Sequence, residues 1–293
     1  MLLLLFRLLT RRYPQNENAE NELQSQFMAY SKELMHFQAF LNETRPIGEL
    51  KEALGIIKNI APKCQEILRR DHFLQQILML FRNHHEEMKQ FGPLHQKSKQ
   101  GDKILDIIEP CVFCVHTFVH DAESKRALFG HQNPPNKSLE EMFGVIDMLT
   151  DLLLHLNEQL KRNPSLSRKQ ILLVMKVTTN ILMEIAQDKE GAFLIFTHCE
   201  SKKEHPLIVL IQQTFNQPKL DDVETKIKTF AVDIMNEIQR VKNETNQGLF
   251  RPSEHVKRLA NLHRNIPQGP PLHPQVCNCL SSMNLSIWTN FNV

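Results

Sequence analysis

The sequence predicts an all-α fold, and three observations carry that expectation. Apolar residues recur every three and four positions along most of the chain, the spacing that gathers them on one helix face. Only 9 of 293 residues are Gly, against a usual ~7%, which disfavours sheet folds and phosphate-cradling loops that depend on its backbone freedom. Capping residues and prolines fall where the periodic stretches begin and end. The length is enough for one or two domains with a sizeable core. With 35 Lys plus Arg against 33 Asp plus Glu, there is no one-sign field to draw the chain to nucleic acid or membrane.

Residues 1–45 are expected to form N-terminal helices. The opening MLLLLFRLLTRRYP is interrupted by Arg7 and lacks both a basic lead and a small-residue cleavage site. It therefore does not match a secretory signal, and it is too short to span a bilayer. An amphipathic helix followed by Pro14 is the simplest reading. The absence of acid before Glu17 also fits a mitochondrial presequence, and the abrupt apolar start fits one piece of a longer helical array. Leu23, Phe27, Tyr30, Leu34, Phe37 and Leu41 mark a further helix, closed by Pro46.

Residues 46–242 are expected to be the main folded body. Leu50, Leu54, Ile57 and Ile60 share a face that should end at Pro62. Phe73, Ile77, Leu80 and Phe81 form the next helix, giving way to a polar loop over 83–102. Ile104, Ile107, Cys111, Val115 and Phe118 follow, with Pro110 marking a kink or a new start. Asn133–Asn136 makes a loop. Ser138 and Glu141 form a capping box that should open one long helix, Leu139 to Leu160. Asn163–Pro164 stops it, and Ser167 with Gln170 offers a second box before the stripe Leu173, Val177, Ile181, Ile185. Pro206 suits the first position of a helix reaching Phe215, because its missing N–H costs little there. Asp221 and Glu224 precede a helix carrying Val223, Ile227, Phe230, Ile234, Ile238 and Val241. Residues 243–293 are expected to be a largely disordered tail with a short helix near Glu254–Leu262. Its segment NIPQGPPLHP (265–274) should run extended. No window approaches ~18 consecutive apolar residues, so a soluble intracellular protein without a membrane span, cytoplasmic or nuclear, is expected.

Three stretches repeat one grammar of apolar helix, polar corner, short helix and apolar helix. They begin LKEALGIIKNIAPKCQEILRR, KILDIIEPCVFCVHTFVHDAESKRALFG and ILLVMKVTTNILMEIAQDKEGAFLIF. Ile60, Val119 and Ile185 stand just before the corners, 59 and 66 residues apart, and Gly191 sits in the last corner. Over about residues 50–240 this resembles the armadillo-type helical repeat family. Insertions at 83–102 and 130–137 would lengthen units of ~40–47 residues to that spacing. The resemblance implies a right-handed superhelix in which each unit packs on its neighbours and offers a long surface to other proteins. An irregular helical bundle is the alternative.

Little in the sequence points to chemistry. Cys111, Cys114, His116 and His120 have the residue types of a zinc site, but one helix cannot converge all four at ~100° per residue. The Cys pair should be core and the His pair a polar flank, so no metal and no cofactor are expected. Adjacent His84 and His85 point apart, and Cys277–Asn278–Cys279 is a bare C-x-C. Nucleotide-loop, nucleophile-elbow and zinc-protease motifs are absent. The expected function is a non-enzymatic scaffold that binds other proteins, with no small-molecule substrate and no nucleic acid. A homo-oligomeric helical assembly protein is the first alternative, and a helical enzyme without a recognisable motif the second. The expected partner surface is the last-helix face of each unit, at Gln76, Asp147, Thr150, Gln212 and Asn236. Arg264, Pro267 and Pro270 add an R-x-x-P-x-x-P match for an aromatic groove.

Overall fold

The computed structural model describes residue 41 and residues 46–70, 72–95, 103–129, 138–162, 168–215 and 222–264. The expected helices over 1–40, the loop at 133–136, Ser167, Pro267 and Pro270 lie outside these. The chain divides into two units, residues 1–263 and 264–293; of the second, only Arg264 is described. Among the described residues there are eleven helices and no strand, as the periodicity predicts.

α1 (Ile47–Arg70), α3 (Leu105–Val119), α7 (Arg168–Ala186) and α10 (Asp222–Asn246) lie side by side, each packed on the next. α2 (Phe73–Phe91), α6 (Val145–Arg162) and α9 (Pro206–Phe215) form a second row, packed on α3, α7 and α10 respectively. α4 (Ala122–Phe129) and α5 (Leu139–Phe143) lead from α3 to α6. α8 (Lys189–Ser201) wedges against α6, α7 and α10, and α11 (Glu254–Arg264) ends the described chain.

Rows of this kind require the middle helices to be apolar on nearly every side, and they are. α3 buries Ile107, Cys111, Val112, Cys114, Val115 and Phe118. α7 even buries two hydroxyls: Thr178 and Thr179 donate to the carbonyls of Val174 and Met175, which makes their burial tolerable. Phe73, Phe81 and Phe118 are the largest fully buried side chains.

Four boundaries differ from expectation. α1 continues through Pro62 to Arg70, because Ala61 just before the proline and Leu68 beyond it are fully buried and that packing outweighs the lost hydrogen bond. α2 extends to Phe91 rather than giving way at residue 83, since His84, His85 and Met88 are buried. The single helix expected from Leu139 to Leu160 is two. Ser138 caps α5 as foreseen, its Oγ accepting from the Glu141 N–H at 3.2 Å, but Gly144 adopts φ 63° and ends α5 after one turn. Lastly, the boundary expected at 242/243 falls inside α10. The anticipated short helix exists as α11, and it is not loose: Val256 and Leu259 are buried, and Arg258 reaches Glu141 at 3.5 Å.

Gly191 marks the tightest crossing. A Cβ there would stand 2.2 Å from the Ile185 carbonyl oxygen, so the α7–α8 corner closes only with glycine. Asp188 caps α8 by accepting from Glu190 N–H at 3.0 Å.

Candidate functional site

Breaking the helix at Gly144 turns Glu140 inward. Its Oε2 accepts from Ile146 N–H at 3.1 Å at the start of α6, where a carboxylate complements the helix dipole. Its Oε1 lies 3.7 Å from His198 Nε2 on α8, and both side chains are sealed from solvent. Burial pushes the Glu140 carboxyl up to about 7, although His198 and the Ile146 N–H pull the other way.

From this pair a chain of charges runs across three helices. His198 Nδ1 lies 3.7 Å from Asp147 Oδ1. Lys202, just beyond α8, bridges Asp147 at 2.5 Å and Asp151 at 2.6 Å. Asp151 continues to Lys89 of α2 at 3.1 Å, and Lys89 to Glu86 at 3.3 Å. Burial alone would raise Asp147, but His198 and Lys202 hold it well below the usual carboxylate range. Lys89 and Lys202 stay above the usual lysine value, because their carboxylates outweigh the burial that opposes it. His85 sits beside this chain, fully buried and edge-on to Phe81 and His155, and burial followed by the Lys89 charge lowers it to about 3. The arrangement joins α2, α5, α6 and α8 electrostatically, with the Glu140 and His198 side chains sealed from solvent.

The other polar assembly lies on the row α1, α3, α7, α10. Lys58 Nζ stands 3.8 Å from the centre of the Phe113 ring, and Lys51 faces Asp106 at 3.7 Å. Gln170 donates to Asp106 at 3.1 Å and to Glu109 at 2.7 Å. Asn180 Nδ2 lies 2.6 Å from His116 Nε2, and Arg168 pairs with Glu224. Between neighbouring helices of this row, such contacts join residues 55–64 positions apart.

The expected partner residues do not form one surface. Thr150 is fully buried, its hydroxyl returned to the Ile146 carbonyl at 2.9 Å. Asp147 is committed to Lys202 and His198. Gln76 is half-buried, whereas Gln212 and Asn236 are exposed. Helical phase could not warn of this, because burial of Thr150 depends on neighbours far away in sequence. Arg264 is the last described residue. As expected, Cys111 and Cys114 are core thiols and His116 flanks them. Local pattern reads Glu140 as a helix-start charge and Lys202 as one of a solvated basic pair, whereas Glu140 is sealed against His198 and Lys202 stands between Asp147 and Asp151; the glycine at 144 following a capped turn was the available signal for the first. Among the described residues no group of three or more His, Cys, Asp and Glu side chains is arranged to hold a metal ion, and no helix is long and apolar enough to cross a membrane. No protein-family model matches the chain, and no curated protein matches its sequence.

Proposed function

We propose that this chain is a non-enzymatic adaptor of the armadillo-like helical repeat type, binding other proteins along the row α1, α3, α7, α10. One observation carries the reading: contacts between successive row helices join residues 55–64 positions apart, close to the 59 and 66 residue spacing of the internal sequence similarity. Lateral repetition of one unit length is what stacked repeats produce, and such stacking builds an extended binding face. The surface of that row carries Lys51, Asn59, Glu109, Asn180 and Asn236, polar side chains on a rigid helical support. Such a face suits an extended or helical peptide held by several separated contacts.

The experiment is site-specific photo-crosslinking in cells. Cross-linkers at Asn59, Lys176 and Asn236 are compared with controls on α6 at Glu158 and on α9 at Gln212. Shared adducts from the three row positions, absent at the controls, support the proposal. Adducts confined to the controls, or only between copies of the chain, overturn it; light scattering on the purified protein identifies the second case.

A further inference from the structure

On the row face, His116 of α3 and His120, which caps the end of that helix, stand one turn apart, with Nε2 atoms 3.3 Å from each other and rings nearly perpendicular. His120 Nδ1 faces Glu184 Oε2 at 3.7 Å, and the Asn180 amide lies 2.6 Å from His116 Nε2. With each ring protonated on Nδ1, both Nε2 lone pairs are open to one cation. The 3.3 Å spacing suits it: two nitrogens each about 2.0–2.1 Å from a tetrahedral Zn²⁺ stand about 3.3 Å apart.

We propose that His116 and His120 chelate a borderline divalent metal ion of the zinc class through their Nε2 atoms. Asn180 rotates its amide so that Oδ1 supplies a third donor, and water completes the shell. Glu184 acts as the outer carboxylate that orients His120, the arrangement that usually accompanies a ligating imidazole. Two imidazoles and an amide make a weaker set than a four-ligand structural site, and soft thiolates are not involved, since Cys111 and Cys114 are in the core. The charged groups facing the pair are Glu184, Lys125 at 3.7 Å from Glu184 Oε2, and Lys176 on α7. Burial, reinforced by His120 and Lys176, lowers the proton affinity of His116. The site is partly open: the His120 side chain keeps 45% exposure, room for water or a partner's side chain.

The test is calorimetric titration of the full chain with Zn²⁺ at pH 8, together with NMR of the histidine rings. Cys64, Cys277, Cys279 and His273 are first replaced by Ser, Ser, Ser and Ala to silence other ligands. The expected result is one zinc per chain, with His116 and His120 ring signals shifted. His116→Ala and His120→Ala should each weaken binding at least about tenfold, Asn180→Ala by less, and His155→Ala not at all. Circular dichroism of each variant establishes that it is folded. Affinity unchanged in His116→Ala and His120→Ala, or no zinc heat at millimolar metal, overturns the site. That outcome means Asn180 Oδ1 accepts a proton from His116 Nε2–H in an ordinary hydrogen bond.

Discussion

Glu140 and His198, 58 residues apart in sequence, meet Oε1 to Nε2 at 3.7 Å with both side chains sealed from water. The pair exists because Gly144 ends α5 after one turn and aims Glu140 at the start of α6. A buried carboxyl raised to about 7 makes the fold sensitive to pH in a defined direction. The folded-state value lies above the unfolded 4.5, so the stability contributed is full below pH 4.5 and is lost as pH rises through 7.

Glu140→Gln removes that dependence. Relative to the natural chain, the variant should gain stability as pH rises from 4.5 to 7, by about 3 kcal/mol over the window. Urea unfolding at a series of pH values measures it. A difference that is flat with pH would refute the burial argument. His85 works in the opposite sense: it is lowered to about 3, so its contribution is lost as pH falls from 6.5. Acid destabilisation over that range should therefore be steeper in Glu140→Gln and shallower in His85→Leu.

Lys202→Met removes the cation that Asp147 and Asp151 share, leaving Asp151 with Lys89 and Asp147 with His198. Lys202 is only 17% exposed, so solvent screening is limited and the expected cost at pH 7 is about 3 kcal/mol. Asp147 is depressed, so its contribution is present above pH 3.8 and disappears below. The penalty should accordingly persist at pH 4 and shrink only as pH falls well below 3.8. Denaturant midpoints at pH 7, pH 4 and pH 2.5 test this.

Gly191→Ala and Gly55→Ala should differ in sign. At 191 the new methyl meets the Ile185 carbonyl oxygen at 2.2 Å, and backbone must move, at a cost of about 3 kcal/mol. At 55, inside α1, nothing lies within 4 Å, and the higher helix propensity of Ala should stabilise by about 0.5–1 kcal/mol. Thermal unfolding of the two variants separates them, and equal effects would remove the special role of the α7–α8 corner.

The described cysteines should be chemically silent in the folded state. Burial pushes the Cys114 and Cys199 thiols up to about 12, and Cys111 is raised well above its ordinary value. In a chain with Cys64, Cys277 and Cys279 changed to Ser, a thiol reagent should label three groups in urea and almost none in native buffer. Rapid native labelling would place these thiols at the surface.

Helix identity was legible because periodicity is a local property: each turn shows its own buried face through residues three and four apart. Ser138 and Pro206 were legible for the same reason, since a cap acts within one turn. Pro62 and Gly144 misled for complementary reasons. A proline's local cost was overridden by packing of Ala61 and Leu68, while one glycine inside an apolar stripe could not announce that it would turn left-handed. The polar run after residue 82 concealed a buried helical face, because His84 and His85 do not look like core residues until neighbours cover them.

The sequence by itself therefore determined the helical class, most of the helix starts and the confinement of Cys111 and Cys114 to the interior. Tertiary structure alone decided that Thr150 is core and Asp147 part of an ion chain, that Glu140 is sealed against His198, and that α11 packs on the body. The reason is range. Helix propensity and phase are set by neighbours within a turn or two, whereas the burial of a polar group depends on partners 50 or more residues away whose positions exist only after the helices have packed.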